Sequence, residues 1–301
     1  MIFGKNFSQL RISTRGADIH LQHGGSGLPL LLLHGYPQTH AIWHNIAPRL
    51  AQRYHVICPD LRGYGDSSKP ASSADHAPYS KRAMAADLVE MMAALGYRHF
   101  AVAGHDRGAR VAHRMALDYP DHVQRVCMLD IVPTRHVLEN VDLSLATGYY
   151  HWFFLTQPDG LPEHLIGSDP DYFLDEALRR WSAPGFRFNE EALAEYRRCF
   201  RQPETIHASC EDYRAGASID LAHDLEDQHK RLCCPLMVLW SGRGLVGRLY
   251  DVLDVWSGYA EQVQGKALDC GHFLPEEAPD ETFGEMVRFF DTCTRRGEQQ
   301  I

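Results

Sequence analysis

Short apolar runs alternate with segments of helical periodicity along most of this chain. Two segments of alternating polar and apolar residues, 8–14 and 17–23, are separated by Arg15-Gly16, which predicts an antiparallel hairpin at a sheet edge. The continuous apolar run Leu28–Leu33 predicts a strand that is buried on both faces. Further strands are predicted at about 55–60, 99–103, 123–130, 235–240 and 264–268.

Helical spacing occupies the segments between these runs. Apolar residues between 84 and 95 recur at helical spacing, with Ser80 as the predicted N-cap and Gly96 as the terminating residue. Helices are also predicted over about 39–53 and 279–295. Alternation of strands and helices predicts an α/β fold with a mostly parallel central sheet.

The pattern changes from about Val132 to Lys230, where helical segments follow one another without a convincing strand. The clearest of them are residues 169–181 and 189–200. We therefore expect residues 1–131 and 231–301 to form one α/β core, with residues 132–230 inserted as a helical cap.

Composition and charge narrow the function classes. The chain has 301 residues and a formal net charge of −9, which argues against a nucleic-acid or anionic-membrane partner. Its longest strongly apolar run is too short to span a bilayer, and the N-terminus lacks a signal-peptide pattern. The eight cysteines show no C-x-x-C pair or regular spacing, which indicates reduced thiols. These features predict a cytoplasmic protein.

The segment Gly104-His105-Asp106-Arg107-Gly108 lies where a predicted strand turns sharply into a helix. Small residues around Asp106 are typical of a nucleophile elbow, although glycine and aspartate are also common in ordinary turns. A carboxylate at the apex displaces a leaving group from saturated carbon and forms an ester. The leaving group would be a halide or the oxygen of an opened epoxide.

An ester intermediate must be hydrolysed, which requires a general base. Among 18 histidines, His272 follows the last predicted strand, as expected of the base in a hydrolase. The loop at 241–247 offers no carboxylate to orient it, and Asp251 comes too late. The predicted acid is therefore Asp130, at the end of the preceding strand, with a surface or capping aspartate as the alternative.

Two arginines and one backbone amide complete the predicted site. Arg107 and Arg110 are one helical turn apart, so both guanidinium groups can grip a substrate carboxylate and keep Asp106 ionised. The alternative is a solvated helix face. The loop after Leu28–Leu33 places the amide of Tyr36 where an anion would bind. The predicted substrate is a small acid with a leaving group on its α carbon.

Over nearly its whole length the sequence resembles the fluoroacetate dehalogenases of the α/β-hydrolase superfamily. The matching segments are HGYPQTH (34–40), DLRGYGDS (60–67), GHDRGAR (104–110), LDIVPT (129–134), YHWFFL (150–155), CEDYRAGA (210–217) and GHFLPEEAPD (271–280). The resemblance implies an α/β-hydrolase fold and hydrolysis of fluoroacetate, together with chloroacetate, to glycolate and halide through an aspartyl ester. It implies a homodimer and no metal or organic cofactor.

The resemblance also assigns roles to residues. The implied catalytic residues are the nucleophile Asp106, the base His272 and its acid Asp130. The implied substrate-binding groups are Arg107 and Arg110 for the carboxylate, His151, Trp152 and Tyr213 for the halide, and the amides of Tyr36 and Arg107 for the oxyanion. Two alternatives stay open: an epoxide hydrolase, in which Tyr149, Tyr150 or Tyr213 protonates the epoxide, and a hydrolase-fold binding protein without turnover.

Overall fold

The computed structural model describes residues 2–291, in which eight strands form a single sheet. The strands are β1 (Phe7–Ser13), β2 (Asp18–Gly24), β3 (Leu28–Leu33), β4 (Tyr54–Pro59), β5 (Phe100–His105), β6 (Val123–Leu129), β7 (Leu236–Ser241) and β8 (Val263–Leu268). Their order across the sheet is β1-β2-β4-β3-β5-β6-β7-β8. Pairing is antiparallel from β1 to β2 and from β2 to β4, and parallel between all other neighbours. The predicted α/β fold and edge hairpin are confirmed.

Helices cover the sheet and fill the interval between β6 and β7. The helices before β6 are α1 (Ala47–Leu50), α2 (Lys81–Ala94) and α3 (Arg107–Asp118). Those after β7 are α12 (Leu245–Leu249), α13 (Val252–Ser257), α14 (Leu274–Glu277) and α15 (Pro279–Asp291). Between β6 and β7 lie α4 (Thr134–Glu139), α5 (Leu143–Gly148), α6 (Tyr150–Leu155), α7 (Leu161–Ser168), α8 (Pro170–Trp181), α9 (Glu190–Phe200), α10 (Pro203–Gly216) and α11 (Ile219–Glu226), here called the helical segment.

The register of the central strands brings their carboxyl ends to one edge. Leu33 at the end of β3 is aligned with Gly104 of β5, and His105 is aligned with Leu129 of β6. The residues that follow these strands therefore emerge side by side, as in other open parallel sheets. Residues 30–33 of β3 are fully buried, as predicted for a central strand.

The prediction of a single helix over 39–53 is wrong. The structure has a 3₁₀ helix at His40–Trp43 and the separate four-residue helix α1. Pro48 lies in the first turn of α1, where its missing N–H needs no partner, but it cannot continue a helix that began before it.

The other predicted helices, at 84–95, 169–181, 189–200 and 279–295, agree with α2, α8, α9 and α15 where the structure describes them. The Ser80 side chain accepts a hydrogen bond from the Ala83 amide (3.2 Å) at the start of α2, and Gly96 follows its end with φ of 86°. Residues 292–295 of the predicted last helix lie outside the described residues. None of the helices within residues 2–291 is both long and apolar enough to cross a membrane.

Candidate active site

Asp106 stands at the strained turn between β5 and α3. Its φ of 46° and ψ of −114° belong to a region that side chains rarely adopt. Close packing maintains the turn, because a Cβ added at Gly104 would lie 2.5 Å from the Gly108 carbonyl oxygen. A Cβ at Gly108 would lie 2.3 Å from the carbonyl oxygen of His34. The glycines of the G-x-D-x-G pattern thus allow the helix to pack directly behind the aspartate.

The loop after β3 supplies a hydrogen-bond donor to Asp106. The Tyr36 amide donates to Asp106 Oδ2 over 3.0 Å, and a Cβ at Gly35 would lie 2.6 Å from the Asp106 Cβ. Burial by itself would raise the pKa of Asp106, but the neighbouring His272, Arg110 and Arg107 charges outweigh burial and lower it. Asp106 is therefore an ionised, buried carboxylate at neutral pH.

His272 and Asp130 form a buried pair next to this carboxylate. The His272 Nδ1 lies 2.6 Å from Asp130 Oδ2, and the other oxygen of Asp130 accepts the Ser241 amide over 2.8 Å. Burial would lower the pKa of His272, but its hydrogen bond with Asp130 raises it above the ordinary value. The loop after β7 thus contributes a backbone donor to the acid instead of a carboxylate of its own.

Arg107 is bound to a carboxylate that we did not predict. Its Nε donates to Asp212 Oδ2 (2.9 Å), and its Nη2 donates to Asp212 Oδ1 and to the Asp212 carbonyl (2.7 Å each). Asp212 also accepts a hydrogen bond from Tyr64 (2.6 Å) and contacts Lys81. Burial would raise the pKa of Asp212, but the charges of Arg107 and Lys81 keep it well below the usual range.

Arg110 has a different environment. Its Nη1 donates to the Val132 carbonyl and to Thr134 Oγ1 (3.0 Å each), which are both neutral acceptors. Its Nε is buried without a hydrogen-bond partner among the described residues. Burial, reinforced by the Arg107 charge, lowers the pKa of Arg110. Arg110 is thus a buried cation with unused donor capacity.

The three predicted halide-binding side chains lie together on α6 and α10. The guanidinium carbon of Arg107 lies 4.2 Å from the ring centroid of Tyr213, and that of Arg110 lies 4.6 Å from the ring of Trp152. The His151 and Tyr213 rings are 5.7 Å apart. Burial lowers the pKa of His151 to about 3, so this imidazole is neutral, and its Nδ1 has no partner among the described residues.

A cavity of about 420 Å³ opens onto the reacting groups. Its walls include Asp106, Asp130, His151, Trp152 and His272. Arg107, Arg110 and Tyr213 are not among its lining residues. A larger groove of about 800 Å³ lies on the helical segment, between α7 and α10, but it contains none of the predicted site residues, so we place the site in the smaller cavity.

One buried cluster within residues 2–291, formed by His20, His40 and Asp60, has donor atoms close enough for a metal ion. Each histidine Nδ1 instead lies 2.8 Å from its own oxygen of Asp60. The carboxylate also accepts the amides of His40 and Asp66. With its acceptor positions filled, Asp60 fixes the turn after β4, and we assign the cluster a structural role.

A family model for the α/β-hydrolase fold matches residues 29–279. The chain belongs to the α/β-hydrolase family. A fluoroacetate dehalogenase from Burkholderia sp. is 44% identical over 297 residues, which cover 98% of this chain and 97% of the relative. The resemblance to this group is therefore confirmed, and the chain is a hydrolase.

Two further relatives show the breadth of the family. A soluble epoxide hydrolase from Corynebacterium sp. (strain C12) is 36% identical, with 91% of this chain and 94% of the relative covered. A solved structure from Nostoc sp. PCC 7120, described as an α/β-hydrolase, is 56% identical with a TM-score of 0.94. That match covers 95% of this chain and 98% of the other.

The carboxyl group of Glu276 contacts the loop after β3 and is not among the residues that line the cavity. Gln38 donates to its Oε2 over 2.6 Å, and the Tyr196 hydroxyl donates to its Oε1 over 3.1 Å. Burial raises the pKa of Glu276 to about 8, so the group is largely protonated at neutral pH. It therefore joins the loop after β3 to α9 without adding a full negative charge.

The first prediction concerns His272. In Asp130→Asn the hydrogen bond that raises the pKa of His272 is weakened, so we expect the acidic limb of the pH–rate profile to move to lower pH. The rate should also fall by about 10³–10⁴-fold, because the imidazole loses the support of its charged form. Single-turnover kinetics across pH would measure both effects. The exposed Asp121→Asn is the matched control, and an unmoved acidic limb would contradict the assignment.

The second prediction concerns the stability of the fold. The pKa of Glu276 is higher in the folded protein (about 8) than its ordinary 4.5. Its contribution to stability is therefore full below about pH 4.5, falls as pH rises, and is lost by about pH 8. Glu276→Gln removes this ionisation. We expect the Tm of Glu276→Gln, relative to that of the wild type, to rise by several degrees when the pH is raised from about 5 to about 9. A Tm difference that is independent of pH, as expected for the exposed Glu281→Gln, would refute this account.

Proposed function

We propose that this hydrolase cleaves the carbon–halogen bond of fluoroacetate, and of chloroacetate, to give glycolate and halide. The observation that supports it most directly is an ionised aspartate at the elbow, with a His–Asp pair on one side and the buried cation Arg110 on the other. The 44% identity to a fluoroacetate dehalogenase favours the same reaction. In this proposal residues 132–230 act as a cap over the site, and the protein is a cytoplasmic homodimer.

The first step forms an ester. One carboxylate oxygen of Asp106 bonds to the α carbon of the substrate while the bonding electron pair leaves with the halide. Fluoride is small and strongly hydrated, so its departure needs fixed donors in place of water. We assign this role to His151, Trp152 and Tyr213. The Tyr213 ring centroid lies 5.7 Å from that of His151 and 6.1 Å from that of Trp152.

The second step regenerates the enzyme. His272 Nε2 takes a proton from water as the water oxygen bonds to the ester carbonyl carbon of Asp106. The amides of Tyr36 and Arg107 stabilise the resulting oxyanion. Its collapse breaks the bond to the glycolate oxygen, which receives the proton from His272. Asp106 returns to a carboxylate with one oxygen from water, and the second proton of the water is released.

The substrate carboxylate is assigned mainly to Arg110. Arg107 already uses its Nε and Nη2 on Asp212, whereas Arg110 bonds only neutral oxygens. A bound carboxylate would satisfy the free donors of Arg110 and would draw the remaining nitrogen of Arg107 toward the same anion. Neither step requires a metal or an organic cofactor.

An epoxide hydrolase is the second candidate. Two tyrosines, Tyr149 and Tyr150, line the cavity beside Asp106, as an acid for an opening epoxide would have to do. The soluble epoxide hydrolase at 36% identity supports this reading. It differs from the first in needing no cation for the substrate, so epoxide turnover should survive the loss of Arg110.

A direct test supplies fluoroacetate and chloroacetate separately to the purified protein. We expect equal amounts of halide and glycolate. In His272→Ala the ester should accumulate on Asp106 and appear by intact-protein mass spectrometry as one added glycolyl group. In ¹⁸O-labelled water, a single turnover of the wild type should place the label in Asp106 and not in glycolate. Unmodified His272→Ala without halide release would exclude the proposal and direct the work to epoxides.

A second test addresses the recognition of the carboxylate. In Arg110→Gln we expect KM for chloroacetate to rise roughly ten- to a hundredfold, because a charge-assisted hydrogen bond is lost. Halide release from uncharged chloroacetamide should change much less. The exposed Arg98→Gln changes the net charge equally and serves as the control. Equal losses on both substrates would instead identify Arg110 as a structural residue.

A further inference from the structure

The side chain of Glu277, at the end of α14, binds three backbone amides. Its Oε2 accepts hydrogen bonds from the amides of Gly271 (2.8 Å) and Ala183 (2.7 Å), and its Oε1 accepts the amide of Phe273 (2.9 Å). Two of these amides belong to the residues on either side of His272. The third belongs to the helical segment, just beyond α8.

The same two pieces of backbone meet directly. The His272 amide donates to the Trp181 carbonyl over 2.9 Å. A Cβ added at Gly271 would lie 2.3 Å from the Ala183 nitrogen, so the two backbone segments approach too closely for any side chain at position 271. His272 and residues 181–184 also line the cavity. The general base and one wall of the site are therefore joined by hydrogen bonds that involve no other catalytic group.

We propose that Glu277 is a positioning residue for the hydrolysis step, which locks His272 and the cavity wall at 181–184 into one unit. A carboxylate suits this task because it accepts several N–H groups at once, and each bond is strengthened by its charge. Glu277 touches neither Asp106 nor the cavity. It acts through the backbone that carries the base, and its negative charge also helps to raise the pKa of His272. This inference rests on the proposed two-step function.

The two chemical steps make different demands on this unit. Formation of the ester needs Asp106, the bound substrate and the halide donors, while His272 remains a spectator. Hydrolysis needs the imidazole at hydrogen-bond distance from an attacking water, and a misplacement of about 1 Å costs up to 10²-fold in rate. Loosening Glu277 should therefore slow the second step selectively, which general damage to the fold would not do.

The test uses Glu277→Gln with chloroacetate as the probe. The glutamine side chain can accept hydrogen bonds only at its carbonyl oxygen, and its NH₂ group faces a backbone N–H, which is also a donor. We expect kcat to fall roughly tenfold or more. The rate of ester formation in a single turnover should stay within about twofold of the wild type. The fraction of Asp106 that carries the glycolyl ester at steady state, measured by intact-protein mass spectrometry after acid quench, should rise.

Controls separate the possible outcomes. The exposed Glu281→Gln removes the same charge nearby and should change neither kcat nor the ester fraction. Glu277→Asp keeps the charge on a shorter side chain, so its kcat and ester fraction should lie between those of the wild type and Glu277→Gln. This variant carries the test if Glu277→Gln does not fold. If His272→Ala accumulates no ester, the proposed function fails. If His272→Ala accumulates ester while the Glu277 variants slow both steps equally, or neither, the positioning role is overturned.

Discussion

Asp106 carries a negative charge at a position that is only 8% exposed, and an ionised carboxylate is stable there only when protein groups replace its water. The Tyr36 amide and the charge of Arg110 provide this replacement. Arg107 contributes as well, but it is itself buried and needs Asp212. The Asp212 carboxylate in turn contacts the Lys81 ammonium group, whose Nζ also lies 3.3 Å from Asp220 Oδ2. Positive and negative groups thus alternate from the nucleophile into the protein.

This alternation separates two arginines that look equivalent along the chain. Arg107 is neutralised by Asp212, which holds its guanidinium group in a fixed position next to Asp106. Arg110 has no carboxylate bonded to it within residues 2–291, and it keeps a buried donor unpaired. Leaving such a group unsatisfied is costly, and an anionic ligand would remove that cost. This unpaired donor is the reason for assigning the substrate carboxylate to Arg110 in the proposed function.

The sequence was sufficient to locate the parts of the site that follow from strand order. The carboxyl ends of adjacent parallel strands share an edge, so residues after β3, β5 and β6 had to meet, and Asp130 followed from the absence of an acid at 241–247. The pairing of Arg107 with Asp212 could not be deduced, because it joins residues 105 positions apart with no periodic signature. The hydrogen bonds of Glu277 to three backbone amides have no sequence signature either. The break in the helix over 39–53 was readable in principle, from Pro48.

The placement of the acid on β6 has an evolutionary consequence. Because Asp130 accepts only a backbone amide from the loop after β7, the His272–Asp130 pair needs no carboxylate from that loop. Arg243, Leu245 and Arg248 of this loop and of α12 border the cavity. These three positions can therefore change in evolution, and alter that wall of the cavity, without removing a group that bonds to Asp130 or His272.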